Sequence, residues 1–314
     1  MRYYFAPLEG LTDSIFRRVH HTYFPERIER YYTPFFSPTV HRALTHREAR
    51  ELPPADSLGV TVIPQLLTKV PEDFLWMAGQ CRDLGYEEVN LNLGCPSGTV
   101  TAKGKGSGML REPESLDRFL EAIFRDAPLP VSVKTRIGFY DAEEFPRLLE
   151  IYNQYPIKEL TIHPRIRTAF YKGPVSREAF TYAAGHSTNP LCYNGDILNL
   201  SQAEALQENY PQVDAVMIGR GLIADPGMTM PGGTSREALE GYLNQLLEEY
   251  LVAFGGSRNA MFRLKEHWGL LIHKFDNADK LAKRLRKTTD LSEYRAITAE
   301  IFHTLPMKQQ LERW

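Results

Sequence analysis

Short apolar runs rich in β-branched and aromatic residues recur along the chain and alternate with longer segments of helical periodicity. Eight such runs occur between residues 2 and 219: RYYFA, RYYTPF, VTVIPQLL, EVNLNLG, VSVKTR, ELTIHP, PLCYNG and DAVMIG. Between the third and fourth runs, apolar residues from Phe74 to Leu84 follow the spacing of one helix face. Strands that alternate with helices pair in parallel, so the pattern predicts an α/β fold with a parallel sheet.

The number of strand–helix units favours a closed (β/α)8 barrel, the TIM barrel, over a doubly wound open sheet, which leaves a similar pattern. After the eighth run, a joint rich in glycine and proline, PGMTMPGGTS, precedes segments with helical periodicity alone. An apolar helical face extends from Leu239 to Leu251, and ADKLAKRLRK and SEYRAITAEIFHTL also predict helices. We therefore expect a barrel over residues 1–234 and an all-α helical bundle over residues 235–314.

Composition places the chain among ordinary globular proteins. It has 314 residues, 43% of them hydrophobic and 24% charged. The amino-terminal residues lack the apolar core of a signal peptide, and no run is long enough to span a membrane. Three scattered cysteines, with no C-x-x-C pair, indicate neither a disulfide framework nor a zinc site. We expect a cytoplasmic monomer without metal or membrane attachment.

Charge is distributed unevenly along the chain. The segment from Arg258 to Trp314 has 12 Lys and Arg against 7 Asp and Glu, a formal charge of +5, which leaves −7 for the remainder. A basic module beside an acidic one is typical of proteins that bind a polyanion such as RNA, although a solvated helical surface has the same composition.

Polar residues cluster where the predicted strands end, which in a parallel barrel is the mouth that holds the active site. They are Gln65, Asn92 with Cys95, Lys134 with Arg136, His163 with Arg165, Asn194 with Asp196, and Gly219 with Arg220. The last two loops, NGD and GRG, follow the seventh and eighth strands, where such barrels commonly bind phosphate. Glycine admits close backbone approach and Arg220 offers a planar donor fork, so we interpret the two loops together as a phosphate site.

Lys134 stands in an apolar strand, where an ammonium needs a negative or electron-rich partner. A structural salt bridge would meet that need, and His163 alone would equally be a structural residue. Together with Gln65, these side chains provide the donors that suit the carbonyl and nitrogen edge of a flavin.

Cys95 differs from the other cysteines in position. Cys81 lies on an apolar helix face and Cys192 inside a strand, as small buried hydrophobes do. Cys95 lies in a mouth loop, and the polar, glycine-rich segment from Thr99 to Gly108 predicts a flexible loop that leaves its thiol accessible. Such a thiol can act as a nucleophile or as a general acid.

Six motifs, in order and spacing, resemble the flavin-dependent tRNA-dihydrouridine synthases over the whole chain. They are APLEGLTD at 6–13, PQLL at 64–67, NLNLGCPS at 90–97, VKTRIG at 133–138, NGDI at 194–197 and MIGRGL at 217–222. The resemblance implies an FMN-binding barrel, a helical domain that binds tRNA, and reduction of a specific uridine to dihydrouridine with NADPH as the reductant.

The resemblance also assigns roles to matching positions. It makes Cys95 the catalytic residue, and it places Asn92 and Arg136 at the uracil and Arg263 and Lys265, in RLKEHW, at the tRNA. Its expected FMN contacts are Pro7, Leu8, Glu9, Gln65, Lys134, His163, Asn194, Gly195, Asp196, Gly219 and Arg220. In this chemistry a hydride from reduced FMN reaches C6 of uracil and the neutral thiol of Cys95 protonates C5.

Two other functions fit parts of the sequence. One is an FMN barrel oxidoreductase that acts on a free pyrimidine, against which the basic tail and RLKEHW argue. The other is an RNA-binding module that keeps the barrel without its chemistry, against which Cys95, Lys134 and the paired phosphate loops argue.

Overall fold

A computed structural model describes residues 1–38, 41–55 and 59–312. Its strands agree with the eight apolar runs, except that Pro64 interrupts the third. The strands are β1 (Arg2–Phe5), β2 (Ile28–Tyr32), β3 (Val62–Ile63), β4 (Gln65–Leu66), β5 (Val89–Leu93), β6 (Val131–Arg136), β7 (Leu160–His163), β8 (Leu191–Tyr193) and β9 (Ala215–Ile218). Because proline lacks a backbone N–H, it ends one run of ladder hydrogen bonds and the next begins after it.

The described strands form one sheet in the order β3-β2-β1-β9-β8-β7-β6-β5-β4. Pairing is parallel from β4 through β9 and between β2 and β3. The two strands at the ends of this order, β3 and β4, are neighbours in the chain, so the sheet closes on itself. The predicted parallel (β/α)8 barrel is therefore confirmed.

Helices connect the strands and make up the carboxyl-terminal region. They are α1 (Ser14–Tyr23), α2 (His46–Glu51), α3 (Pro71–Asp83), α4 (Gly98–Thr101), α5 (Pro113–Asp126), α6 (Phe145–Tyr152), α7 (Arg177–His186), α8 (Leu200–Asn209), α9 (Arg220–Ala224), α10 (Arg236–Phe254), α11 (Ser257–Leu271), α12 (Asp279–Lys287) and α13 (Leu291–Thr304). Asp141 and Glu144 form a capping box before α6, which satisfies backbone donors that the helix itself leaves unpaired.

Alternation along the strands decides which side chains face the barrel interior. Asn92 is in register with Lys134, Lys134 with Thr161, and Thr161 with Cys192. Leu91, Val133 and Leu160, one position away, form the opposite row. Since side chains alternate between faces, the polar strand positions lie on one face of the sheet and the leucine row on the other.

Two compact units share the chain. One contains Met1–Pro7, Glu29–Gly195 and Glu204–Met217, and so holds most of the barrel. The other contains Leu8–Ile28, Asp196–Ala203 and Ile218–Trp314. Helix α10 begins after the Ser235 cap, where the alternation of strands and helices stops, and α1 and α9 belong to the same unit as the helical tail.

An aromatic and histidine cluster forms the core of the second unit. The Phe16 ring stacks on His267 at 5.1 Å, and Tyr242 meets Phe16 and Phe24 edge to face. Buried Lys274 bonds to Asp225 at 2.6 Å. In the part of the chain that the structure describes, no helix is long and apolar enough to cross a membrane, and no group of three or more His, Cys, Asp or Glu is placed to hold a metal.

Candidate active site

Hydrogen bonds to its N–H group and to its carbonyl oxygen fix the backbone at Cys95. Asn92 Oδ1 accepts from the backbone N–H of Gly94 at 3.0 Å and of Cys95 at 2.9 Å. On the other side, the Cys95 carbonyl accepts from the Ser107 hydroxyl at 2.8 Å and from the Ser107 backbone N–H. Cys95 is partly buried. The thiol is thus carried by a turn whose backbone is held by neighbouring elements.

The segment after Cys95 differs from the flexible loop expected from its composition. It contains α4 and a 3-10 helix, Gly106–Arg111, in which Gly106 through Leu110 are buried. Gly106 has φ +58°, and a Cβ at this position would come within 3.0 Å of the Cys95 carbonyl oxygen. The glycines therefore permit close packing against the cysteine turn, which composition alone does not distinguish from flexibility.

Asn92 and Gln65 continue this network into the barrel. Asn92 Nδ2 donates to Gln65 Oε1 at 2.7 Å, and Gln65 Nε2 donates to Asn90 Oδ1 at 2.8 Å. Asn90 Nδ2 then donates to Ser132 Oγ at 2.9 Å. All four side chains are buried. The sequence indicates Asn92 and Gln65 as site residues but does not indicate Asn90, Ser132 or Ser107.

The alternation of side chains along a strand could have indicated two of these residues, Asn90 and Ser132, from the sequence. Asn90 precedes Asn92, and Ser132 precedes Lys134, by two positions on their strands, which puts each pair on the same face. Ser107 has no such signal, because its contact with Cys95 depends on how the following 3-10 helix packs.

Arg136 supports the same turn from the neighbouring strand. Its Nε donates to the Gly94 carbonyl at 2.9 Å and its Nη1 to the Ile166 carbonyl at 3.0 Å. The guanidinium lies over the Tyr171 ring, 5.4 Å from its centre. Burial, with repulsion from Arg165, lowers the pKa of Arg136 to about 10, which leaves it charged at neutral pH.

Lys134 forms no structural salt bridge with the residues that the structure describes. Among the described residues its ammonium makes no hydrogen bond and no ion pair with a carboxylate. Burial and the nearby charge of Arg136 lower the pKa of Lys134 to about 8. A partly buried cation without an anionic partner is suited to a negative or electron-rich ligand group.

His163 ends β7 and is buried. Arg165 Nη1 lies 3.3 Å from His163 Nε2, and the same guanidinium donates to the Gly173 carbonyl. Because a guanidinium can only donate, His163 Nε2 accepts, which leaves Nδ1 as the protonated nitrogen. The Tyr171 ring stacks on the imidazole at 6.1 Å.

The predicted phosphate residues are divided between the two units. In the barrel unit, Asn194 Nδ2 donates to the Met217 carbonyl at 2.7 Å, and Gly195 follows it. In the other unit, Arg220, the residue that follows Gly219, donates from Nη2 to Asp196 Oδ1 at 2.7 Å. The structure therefore links the loop after β8 with the loop after β9 through an ion pair that sequence spacing could not show.

Of the amino-terminal residues, Pro7 and Leu8 are partly buried and Glu9 is exposed. The Leu8 carbonyl accepts from the backbone N–H groups of Leu11 and Thr12, and the Thr12 hydroxyl accepts from the Leu8 N–H at 2.9 Å. These bonds form a tight turn before α1.

Arg263 and Lys265 lie on α11 but have different surroundings. Arg263 Nη1 would be 3.4 Å from a Cβ placed on Gly10, so it lies beside the amino-terminal turn. Lys265 Nζ donates to the carbonyls of Arg286 and Thr288 at the end of α12. Burial lowers the pKa of Lys265. Lys265 therefore holds α12 against α11.

A groove of about 830 Å³ opens beside Lys265. It is lined by Arg258, Asn259, Met261, Phe262, Lys265, Thr288 and Thr289. Phe262 is 66% exposed there.

These features define the class of protein: an α/β-barrel enzyme with a cysteine turn after β5, at the carboxyl ends of the strands. A family model described as dihydrouridine synthase (Dus) matches residues 4–314, and the chain belongs to this family. The resemblance inferred from the motifs is thereby confirmed.

Curated relatives agree with the family. A probable tRNA-dihydrouridine synthase of Staphylococcus epidermidis is 28% identical over 307 residues, covering 93% of this chain and 91% of the relative. Probable tRNA-dihydrouridine synthase 1 of Synechocystis is 31% identical over 226 residues, which is 70% of this chain and 61% of that protein's length.

Among solved structures, the old yellow enzyme homologue NCR from Zymomonas mobilis has a similar fold. Its TM-score is 0.53 at 11% identity, and the match covers 76% of this chain and 91% of the other. At this identity the likeness bears on the fold alone.

Proposed function

We propose that this protein is an FMN- and NADPH-dependent tRNA-dihydrouridine synthase that reduces the C5=C6 bond of a specific uridine. Membership of the dihydrouridine synthase family supports the reaction. The observation that carries the mechanism is the Cys95 turn, held by Asn92, Ser107 and Arg136 after β5.

The barrel residues fit a flavin by the chemistry of their donors. Lys134 is a cation without a carboxylate partner among the described residues, and Gln65 Nε2 keeps one N–H beyond its bond to Asn90. We assign these two side chains and His163 to the polar edge of the ring, with Pro7, Leu8 and Glu9 as further flavin contacts. Asn194, Gly195, Asp196, Gly219 and Arg220 are assigned to the phosphate. Arg220, whose Nη2 donates to Asp196, has the planar guanidinium fork that matches phosphate oxygens.

When bound and reduced by NADPH, FMN would supply hydride chemistry for C6 of uracil. The protein must then provide a proton at C5, and the neutral thiol of Cys95 has one to donate. Asn92 Oδ1 already accepts two backbone N–H groups, and one Nδ2 hydrogen bonds to Gln65 Oε1. Asn92 can therefore offer a base only its second Nδ2 hydrogen. A uracil carbonyl oxygen is a suitable acceptor for that donor. Arg136 would meet the base through guanidinium N–H groups other than those that donate to the Gly94 and Ile166 carbonyls.

We assign tRNA binding to the helical tail. Helix α12 has five exposed cations, Lys280, Lys283, Arg284, Arg286 and Lys287. A cationic surface of this kind attracts the phosphate backbone through counterion release. Uridine in folded RNA must leave its stack before its C5=C6 bond can be reduced, which requires binding of the surrounding RNA as well as of the base.

The direct test is to purify the protein, record its visible spectrum, and incubate it with unmodified tRNA and NADPH. We expect a yellow protein that produces dihydrouridine, detected by mass spectrometry of the nucleosides. Cys95→Ala should keep flavin reduction by NADPH while turnover falls by about 10²–10⁴-fold, the usual contribution of a general acid. Cys81→Ala, which removes a thiol buried on α3, is the matched control and should keep turnover.

Each other result contradicts a defined part of the proposal. A yellow protein that reduces free pyrimidines but no tRNA would identify a small-molecule oxidoreductase. Protein that cannot be loaded with FMN would rule out the flavin assignment, and full turnover in Cys95→Ala would remove the thiol from the reaction.

A further inference from the structure

Two buried residues without a role in the proposed reaction, Asn90 and Ser132, end the hydrogen-bonded chain that begins at the Cys95 turn. Asn90 is 0% exposed and Ser132 1% exposed. Gln65, Asn90 and Ser132 are in register across β4, β5 and β6, so their side chains share one face of the sheet. We refer to Ser132, Asn90, Gln65 and Asn92 as the amide relay.

The relay has only one direction that satisfies every donor and acceptor. Gly94 and Cys95 present backbone N–H groups, which can only donate, so the Asn92 atom facing them must be oxygen. Asn92 therefore turns its nitrogen to Gln65, whose oxygen accepts. Gln65 in turn presents its nitrogen to Asn90 Oδ1, and Asn90 Nδ2 donates to Ser132. The backbone of the cysteine turn thus fixes the orientation of three successive amides.

The orientation of the amides near the cysteine also depends on the buried end of the relay, at Asn90 and Ser132. Rotation of the Gln65 amide by 180° would place its nitrogen against the nitrogen of Asn92 and its oxygen against Asn90 Oδ1. Asn90 is the acceptor that selects the correct rotamer, and Ser132 is the acceptor that holds Asn90. In a buried network, an unsatisfied link weakens the remaining ones.

The geometry points to Asn90 as a positioning residue for Cys95, with Ser132 as its anchor: through Gln65 and Asn92 they hold the N–H side of the cysteine turn and so the place of its thiol. Arg136 and Ser107 hold the carbonyls of Gly94 and Cys95 separately. Loss of Asn90 therefore loosens the N–H side of the turn while these two supports remain.

Cys95 alkylation by iodoacetamide measures the freedom of the thiol without RNA or NADPH. Cys81 and Cys192 are both 0% exposed, so Cys95 is the accessible thiol, and peptide mass spectrometry identifies the alkylated residue. In Asn90→Leu, which removes the acceptor for Gln65, we expect Cys95 alkylation to accelerate by about fivefold or more across the pH range, because a partly buried thiol becomes freer.

Two matched variants separate positioning from general loosening. Asn90→Asp keeps an acceptor for Gln65 Nε2, and the Ser132 hydroxyl can turn to donate, so the alkylation rate should stay within about twofold of the native protein. Leu91→Ala removes buried volume from the adjacent residue of β5, on the opposite face. It should lower the thermal unfolding midpoint while leaving the alkylation rate within about twofold.

An unchanged or slower alkylation rate in Asn90→Leu would overturn the inference, and so would an equal acceleration in Leu91→Ala. If Asn90→Leu does not fold, Ser132→Ala tests the same relay one link further out. An acceleration of about twofold or more is expected there, since Asn90 loses its anchor, and an unchanged rate would contradict the relay.

The catalytic meaning of this positioning rests on the proposed acid role of Cys95. With activity normalised to flavin content, Asn90→Leu should lower kcat by about tenfold with little change in KM for tRNA. A kcat equal to that of Leu91→Ala would mean that the held thiol does not serve the reaction. Alkylation needs neither substrate nor reductant, so a protein that makes no dihydrouridine could still show the relay.

Discussion

At the scale of single residues, two lysines show that the hydrogen-bond partners of a buried ammonium decide whether its role is structural or ligand-binding. Lys274 is fully buried, and its ammonium bonds to Asp225 at 2.6 Å and to the Gln309 carbonyl at 2.8 Å. Lys134 makes no such bond among the described residues, and its pKa falls to about 8. Lys274 is therefore a structural cation, since removal of one partner would leave a buried charge unpaired. Lys134 remains available to a ligand.

His20 gives a prediction for the pH dependence of stability. Burial lowers the pKa of His20 to about 3 in the folded protein, where its Nε2 donates to the Pro226 carbonyl. Between pH 6.5 and 3 the unfolded chain binds a proton at this residue that the folded protein does not. The free energy of unfolding therefore falls as pH falls through that window, by at most about 1.4 kcal/mol per pH unit.

His20→Gln keeps a neutral donor for the Pro226 carbonyl but removes this titration. From pH 7 to pH 5, urea unfolding should show the native protein losing about 2 kcal/mol more stability than the variant. His41→Gln, at an exposed site, is the control and should follow the native protein. Parallel pH profiles for the native protein and His20→Gln would show that His20 titrates alike in both states.

At the scale of elements, the loops after β8 and β9 are held together by a backbone approach as well as by the Asp196–Arg220 ion pair. A Cβ on Gly221, in the first turn of α9, would overlap the carbonyl oxygen of Ile197. The chain thus needs glycine at this position for the two loops to meet. The motif GRG shows a glycine here, but its neighbour is known only from the folded chain.

Gly221→Ala should separate these loops. We expect a loss of about 1–3 kcal/mol in the free energy of unfolding, as for other overpacked sites, together with weaker FMN binding measured by calorimetry. Gly269→Ala is the matched control, because a Cβ at this helical glycine of α11 meets no atom within 4 Å. Unchanged FMN affinity in a destabilised Gly221→Ala would separate loop packing from cofactor binding.

At the scale of the whole molecule, the positive charge of the tail is concentrated on one helix. Buried Leu281 and Leu285 set the inner face of α12, which leaves its lysines and arginines in solvent. Lys265 is occupied by the carbonyls at the end of this helix, so its substitution would disturb α12 itself. The exposed cations of α12 are the cleaner probes of RNA binding.

Reversal of two of these cations, Lys283→Glu with Lys287→Glu, should weaken tRNA binding by about tenfold or more and reduce its salt dependence, because fewer counterions are released. Filter binding at several salt concentrations measures both quantities. Arg118→Glu with Arg125→Glu on α5 makes the same change in net charge and should have a smaller effect. Equal effects of the two pairs would indicate that net charge, rather than α12, governs binding.

Much of the architecture could be predicted because it depends on local periodicity. The strand runs, the Asp141 cap and the end of alternation before α10 all follow from spacing and from backbone donors within a few residues. Position at the strand ends likewise predicted that Gln65, Asn92 and Lys134 cluster, since the carboxyl ends of parallel strands meet at one mouth of the barrel.

The sequence by itself determined the family, the barrel and the kinds of side chain at the strand ends. Tertiary structure decided what each side chain bonds to. Asn92 and Gln65 are 27 positions apart, and Arg136 and Gly94 are 42 positions apart, so only closure of the sheet brings them together. Three further features depend on such long-range contacts. They are the ordered helix after Cys95, the lack of a carboxylate partner for Lys134 among the described residues, and the direction of the amide relay. Hydrogen-bond partners are set by distance in space rather than by spacing along the chain.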